Sequence, residues 1–168
     1  MKERKTVWKW FWVWDFEKEE RWLNEMAMSG WALVSVGFAN YTFEACEPGE
    51  YIIRLEMHDN DSAYISFVEE TGAEYVGRMV KWIYFRRNSD LGPFDIFSDI
   101  DSKVDHLKRL HRMTMLIGIG NLLIGFGNSL NRSGLGWINL VLASVLMYGA
   151  GIFKGKIDLL ENERTLRE

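Results

Sequence analysis

Cysteine is nearly absent, with Cys46 the one example in 168 residues. A single thiol cannot build an intrachain disulfide framework, and it fits a reducing compartment. Cys46 lies between Glu44 and Glu47, whose negative charge opposes thiolate formation, so it is not read as a nucleophile. A phosphate-cradling glycine loop is missing too: Gly118, Gly120, Gly125 and Gly127 stand inside an apolar run, not between a strand and a helix. His58, His106 and His111 have no metal-ligand spacing with cysteine or with one another. Asp99 and Asp101 open like a calcium loop, but Lys103 and Val104 occupy places where a ligand and a glycine are required. Ser102 and Asp105 fit a helix capping box instead. No catalytic residue, no cofactor and no metal site is expected.

Formal charge is missing from one long stretch. Between residues 113 and 153 the only charged side chain is Arg132, whereas residues 1–112 carry fifteen Lys/Arg and twenty Asp/Glu. Two apolar runs, 113–130 and 135–153, flank a polar turn at Asn131, Arg132, Ser133 and Gly134. Each approaches the roughly 20 residues that a helix needs to cross about 30 Å of hydrocarbon. Lys103, Lys108, Arg109 and Arg112 precede the first run, and Lys154 and Lys156 follow the second. Basic residues stay on the cytoplasmic side, so the expected topology is multi-pass in the cell membrane with both termini cytoplasmic. Lys9 and Asp15 interrupt the tryptophan-rich N-terminal run and no small-residue cleavage site follows, so that run is not read as a signal peptide.

The rest of the chain reads as an α+β domain. Residues 6–14 alternate as a strand, with Trp8, Trp10, Trp12 and Trp14 on one side and Val7, Phe11 and Val13 on the other. Asp15 begins a helix with Glu17, Glu19 and Glu20 at its positive end and Gly30 at its stop. Residues 31–43 read as a second strand and 51–57 as a third. A second helix from about Ser62, after a break at Asp59 and Asn60, ends at Gly72, and residues 74–86 form a fourth strand. A weak repeat sets Gly30-Trp31-Ala32-Leu33-Val34 against Gly72-Ala73-Glu74-Tyr75-Val76. The βαββαβ order predicts a ferredoxin-like domain with a four-stranded sheet and a central first strand. A different α+β sandwich is the alternative. The expected divisions are 1–88 for this domain, 89–112 for a linker and basic juxtamembrane helix, 113–156 for the transmembrane helical hairpin, and 157–168 for a cytoplasmic tail.

In that arrangement the first strand would present large apolar side chains on whichever face the helices leave open. Such a patch marks a contact surface, unless residues 88–101 or a second copy of the chain cover it. Beside it, Arg54, Glu56 and His58 line one side of the third strand, either as a solvated face or as groups that orient a small ligand. Nucleic acid is excluded, because the third strand lacks the basic-glycine-aromatic motif of RNA-recognition modules and the domain is acidic. In the spans, Gly118, Asn121, Gly125 and Asn128 share one helical face, and Gly151 and Gly155 form a second small-residue pair. These serve packing within the hairpin or contact with another membrane subunit.

The phrase Trp22-Leu23-Asn24-Glu25-Met26-Ala27, then Ser29-Gly30-Trp31, carries a resemblance. With Tyr84-Phe85-Arg86-Arg87, Phe97-Ser98-Asp99 and Ser102-Lys103, it resembles an uncharacterised bacterial membrane family, domain of unknown function 2812. The resemblance implies membrane proteins often encoded beside PadR-type transcriptional regulators, and no activity. The function expected is a membrane-anchored, non-enzymatic regulatory module whose partners are the lipid bilayer and a protein, for which the resemblance implies a PadR-like regulator. The surface assigned to that partner is Trp8, Trp10, Trp12, Trp14, Arg54 and His58. The alternatives are an accessory or immunity subunit of a larger membrane transporter complex, and a small-ligand sensor.

Overall fold

The computed structural model describes residues 3–58, 61–96, 100–131, 134 and 136–165. The expected break at Asp59 and Asn60, the residues Phe97, Ser98 and Asp99, and the turn residues Arg132 and Ser133 lie outside these. The chain divides into two compact units, Met1–Ile96 and Phe97–Glu168.

In the first unit the elements are β1 (Arg4–Trp8), α1 (Phe16–Met28), β2 (Trp31–Gly37), β3 (Asn40–Ala45), β4 (Tyr51–Met57), α2 (Ser62–Glu69), β5 (Ala73–Met79) and β6 (Trp82–Asn88). Short 3-10 turns stand before α1 and after β6. The class is α+β, as expected, but the ferredoxin-like single sheet of four strands is not what forms. There are two antiparallel three-stranded sheets, ordered β1-β3-β2 and β4-β6-β5. Each long strand read from the sequence is folded back as a hairpin. In the first, Gly37 pairs with Asn40 around Phe38 and Ala39; in the second, Met79 pairs with Trp82 around Val80 and Lys81. Ala39 and Val80 take the positive φ values, 53° and 57°, that let so tight a loop close.

The fold is therefore a tandem βαββ repeat. In both halves the third strand is central and both its neighbours are antiparallel to it. The register shift in β2 falls between Leu33 and Ser35, and that in β5 between Tyr75 and Gly77. Those bulges coincide in the alignment that matches Gly30 with Gly72. Gly30 (φ +83°) and Gly72 (φ +85°) stop the two helices in the left-handed region, and a Cβ on Gly30 would lie 3.1 Å from the Cys46 carbonyl.

Helix α1 joins the halves. Its apolar face buries Phe16, Leu23 and Ala27, against a core that includes Leu33, Tyr41, Phe43, Ile53, Leu55 and Tyr84. Each such large apolar side chain contributes roughly 1.5–3 kcal/mol. The outer edge of β4 is finished by α1 side chains. The Asn24 amide nitrogen donates to the Ile53 carbonyl (2.9 Å) and its oxygen accepts from the Ile53 N–H (2.9 Å). Glu20 accepts from the Leu55 N–H (3.2 Å). An edge strand engaged this way no longer offers the Ile53 N–H and carbonyl or the Leu55 N–H to another strand. The opposite face of β4-β6-β5 carries Ile83 and Phe85, which pack with Val68 of α2, Ala73 and Phe94, flanked by Tyr64, Ile65 and Ile96. The residues after β6 thus cover this second core, with Arg87 over the Phe94 ring.

The second unit is two long helices, α3 (Ile100–Leu130) and α4 (Gly136–Thr165). Both are long and apolar enough to cross a membrane. The basic segment expected as a juxtamembrane helix is continuous with the first apolar run inside α3. The buried residues of α4 are Gly136, Ala143, Gly149, Ala150, Phe153 and Ile157, at the three-, four- and seven-residue intervals of one helical face, and Val104, Leu107, Leu110 and Thr114 of α3 are also buried. Toward the ends of the pair away from the turn, Lys108 and Glu161 form an ion pair (2.7 Å), and His111 Nδ1 lies 2.9 Å from the Ala150 carbonyl oxygen.

Candidate functional site

Strand β1 stops at Trp8 because its partner β3 stops at Asn40, where the hairpin turns. One further backbone bond, Lys9 N–H to the Ala39 carbonyl (2.9 Å), holds the chain before it leaves the sheet. The expected strand over residues 6–14 is thus cut short, and β1 is an edge strand rather than a central one. The four tryptophans consequently do not share a sheet face. Trp8, 73% exposed, stands with Arg4, Thr6, Thr42 and Glu44 on the polar outer face, where Arg4 pairs with Glu44 (2.8 Å).

Trp10, Trp12 and Trp14 instead form a descending lane. Trp14 is buried and stacks on Trp12 at 5.1 Å and 3°. Trp12, 46% exposed, meets Trp10 edge-on at 5.7 Å. Trp10, 53% exposed, meets Phe38, the 69% exposed hairpin residue, at 5.5 Å. Aromatic pairs in such geometries add roughly 0.5–1.5 kcal/mol beyond the area they bury. The lane is thus held by its own rings while its outer half is open to a partner. Of residues 88–101, the expected cover, Phe94 and Ile96 are committed to the core beneath α2, and residues 97–99 lie outside the described residues.

Beneath this surface lies a polar cluster that the strand alternation did not reveal. Glu19 of α1 is buried, and its Oε1 accepts from the Tyr41 hydroxyl (2.8 Å) and the Tyr84 hydroxyl (2.6 Å). Burial raises the Glu19 carboxyl above its ordinary range, and the two phenol donors, Tyr84 first, pull it back. Burial and the neighbouring carboxylate raise both phenols well above 10. One side chain therefore ties β3 of the first sheet to β6 of the second. The spacing of Phe16, Glu19, Leu23 and Ala27, all buried, was the available signal, because it places Glu19 on the apolar face of α1.

Arg54, Glu56 and His58 are not gathered into one solvated site. Arg54 reaches Glu20 of α1 (3.5 Å) and the Ile53 carbonyl (3.0 Å). Glu56 is buried and accepts from the Tyr64 hydroxyl. His58 stacks flat on the Tyr64 ring at 3.8 Å. Arg54 thus faces one helix, while Glu56 and His58 face the other. Cys46, the one cysteine, is half-buried, with its N–H on the Gly30 carbonyl (2.9 Å). No group of metal-ligating side chains occurs among the described residues.

The glycines of the two long helices separate into two sets. A Cβ on Gly118 would lie 3.4 Å from Leu146 and Met147, and one on Gly125 would lie 2.8 Å from Leu140. These two face α4. Asn121 donates to the Ile117 carbonyl of its own helix (2.9 Å), and Asn128 is half-buried. A Cβ on Gly151 or Gly155 would meet nothing within 4 Å.

A family model described as a protein of unknown function (DUF2812) matches residues 15–119, from α1 through β2 to β6 and into α3, with β1 before its start. The chain belongs to that family. The DUF2812 match includes Glu19, Tyr41 and Tyr84, and leaves Trp8, Trp10, Trp12 and Trp14 just outside its start. No curated protein and no solved structure matches this DUF2812 chain.

Proposed function

We propose that this DUF2812 chain is a membrane-anchored, non-enzymatic regulatory module. Helices α3 and α4 span the cell membrane with both termini cytoplasmic, and the βαββ repeat captures a protein partner. The observation that carries the reading is the exposed lane of Trp10, Trp12 and Phe38, with Trp8 nearby in the chain. Large exposed aromatics are costly in water and are the side chains that dominate protein interfaces. The partner class is a PadR-type transcriptional regulator, which the family resemblance implies. Held at the membrane, such a regulator would be withdrawn from its DNA.

The test titrates a purified PadR-type regulator against the full chain in lipid nanodiscs. Replacing both Trp10 and Trp12 by Ser is expected to weaken binding by about thirtyfold or more, as for hot-spot aromatics. Circular dichroism should be unchanged, because both rings are about half exposed. Equal affinity of the wild type and the double variant sinks the proposal.

The second reading is an accessory or immunity subunit of a larger membrane transporter complex. The open surface over Gly151 and Gly155 favours it, because small residues let a further helix approach closely. In that case Gly151→Leu releases a membrane partner while the Trp10 and Trp12 replacements do not.

A further inference from the structure

The side chain that interrupts the tryptophan run, Lys9, does not simply point into water. Its ammonium lies 4.4 Å from the ring centre of Trp22 and 5.1 Å from that of Phe11. The two rings are tilted toward each other, 5.6 Å apart. Tyr41 closes the group edge-on, 5.0 Å from Trp22 and 6.4 Å from Phe11. The three rings come from the segment after β1, from α1 and from β3, so the fold itself assembles them. Tyr41 is fixed by its hydroxyl on Glu19 (2.8 Å), which places a buried carboxylate behind the rings. Phe11 and Trp22 thus form a two-ring cage that already holds a cation, with the buried Tyr41 ring packed behind them.

We propose that the cage is a binding site for an organic cation of the quaternary or aryl ammonium class, and that Lys9 is its tethered occupant, displaced by the ligand. Ring faces attract cations through their negative quadrupole, and aromatic cages are the usual receptors of quaternary ammonium groups. A lysine ammonium is compact and strongly hydrated, so it is a poor match for half-buried rings. A methylated or aryl ammonium loses less hydration on entry and adds apolar contact with Phe11 and Trp22. A divalent metal is the wrong guest, since it demands several oxygen ligands, and the rings offer an anion only negative faces. Lys9 stands between Trp8 and Trp10 in the chain, so expelling it shifts the segment that displays the exposed lane. The cage thereby couples a small cation to the partner surface, yet cation binding does not depend on what that surface binds.

The experiment is calorimetric titration of benzyltrimethylammonium chloride into the full chain in nanodiscs, with empty nanodiscs as the blank and benzyl alcohol as the neutral comparison. Saturable binding of the cation alone is expected. Lys9→Ala, which empties the cage, should bind about tenfold more tightly, and Trp22→Leu about tenfold more weakly. Near-ultraviolet circular dichroism checks the fold of Trp22→Leu, and if that variant is unfolded Phe11→Leu carries the same expectation. The proposal is overturned if neither the wild type nor Lys9→Ala gives saturable heat, if benzyl alcohol binds equally well, or if Lys9→Ala weakens binding. Replacing Trp10 and Trp12 by Ser should leave cation binding in place, which separates this site from the partner surface.

Discussion

Glu19 of α1 and Tyr84 of β6, sixty-five positions apart, meet at 2.6 Å inside the first unit. Tyr41 donates to the same carboxylate oxygen from β3, so a single buried acceptor gathers both sheets. Replacing Tyr84 by Phe removes one of two donors from a buried acid. The expected loss is about 1–3 kcal/mol, the usual consequence of leaving a buried polar group short of a partner. Urea unfolding of the full chain, followed by tryptophan fluorescence, measures it. An unchanged midpoint would mean that the Tyr84 hydroxyl adds nothing to the joining of the two halves.

The same acid makes stability depend on pH, and the sign is determined. Burial raises the Glu19 carboxyl above its ordinary 4.5, so the folded chain holds that proton where the unfolded chain has released it. Stability from this group is complete below pH 4.5 and falls as pH climbs through the raised value. The phenols of Tyr41 and Tyr84, also raised from 10.0, add a second loss as pH rises above 10. Glu19→Gln keeps an acceptor and removes the titrating group. Its melting temperature is expected to lose the acid-side slope and keep the alkaline one. A wild-type slope that survives in Glu19→Gln would assign it to another group.

Much of this fold was written in short words along the chain, and what was hidden has identifiable causes. The Gly30 and Gly72 stops and the strands that follow them marked the repeat, because only glycine takes that conformation freely. The hairpins were hidden because their loops are Phe38-Ala39 and Val80-Lys81, without the central glycine or asparagine that usually announces so tight a turn. The tryptophan lane was misplaced for a different reason. Alternation reports which side a residue faces but not where the neighbouring strand ends, and β3 has no residue left to pair beyond Trp8. Glu19 was taken as a helix-end charge, although the spacing of its buried neighbours put it inside.

Val80 offers a direct check on the second hairpin. A β-branched residue at φ 57° is strained, and the side chain is largely exposed, so little packing offsets the cost. Val80→Gly or Val80→Asn is expected to stabilise the chain by about 1 kcal/mol, the order of the left-handed penalty. Thermal unfolding of the two variants measures the gain. Destabilisation by both would show that the turn is not closed in this conformation.

Gly125 and Gly151 make a contrasting pair in the two-helix unit. Any side chain at Gly125 meets Leu140 at 2.8 Å and the Gly136 carbonyl at 3.1 Å, a backbone group that cannot swing aside. Gly151 has open space around the same added atom. Gly125→Leu should therefore push α3 from α4 and destabilise the hairpin by about 1–3 kcal/mol, as overpacking does, whereas Gly151→Leu should leave it intact. A disulfide-crosslinking series along the seam, comparing each variant with its parent, reads the separation directly. Cysteines at Leu107 and Phe153 are buried reference positions on the two helices, far in sequence from Gly125. Loss of crosslinking at the turn end with retention at the reference end would locate the disruption at Gly125. Equal crosslinking in both variants would remove Gly125 from the packing of the hairpin.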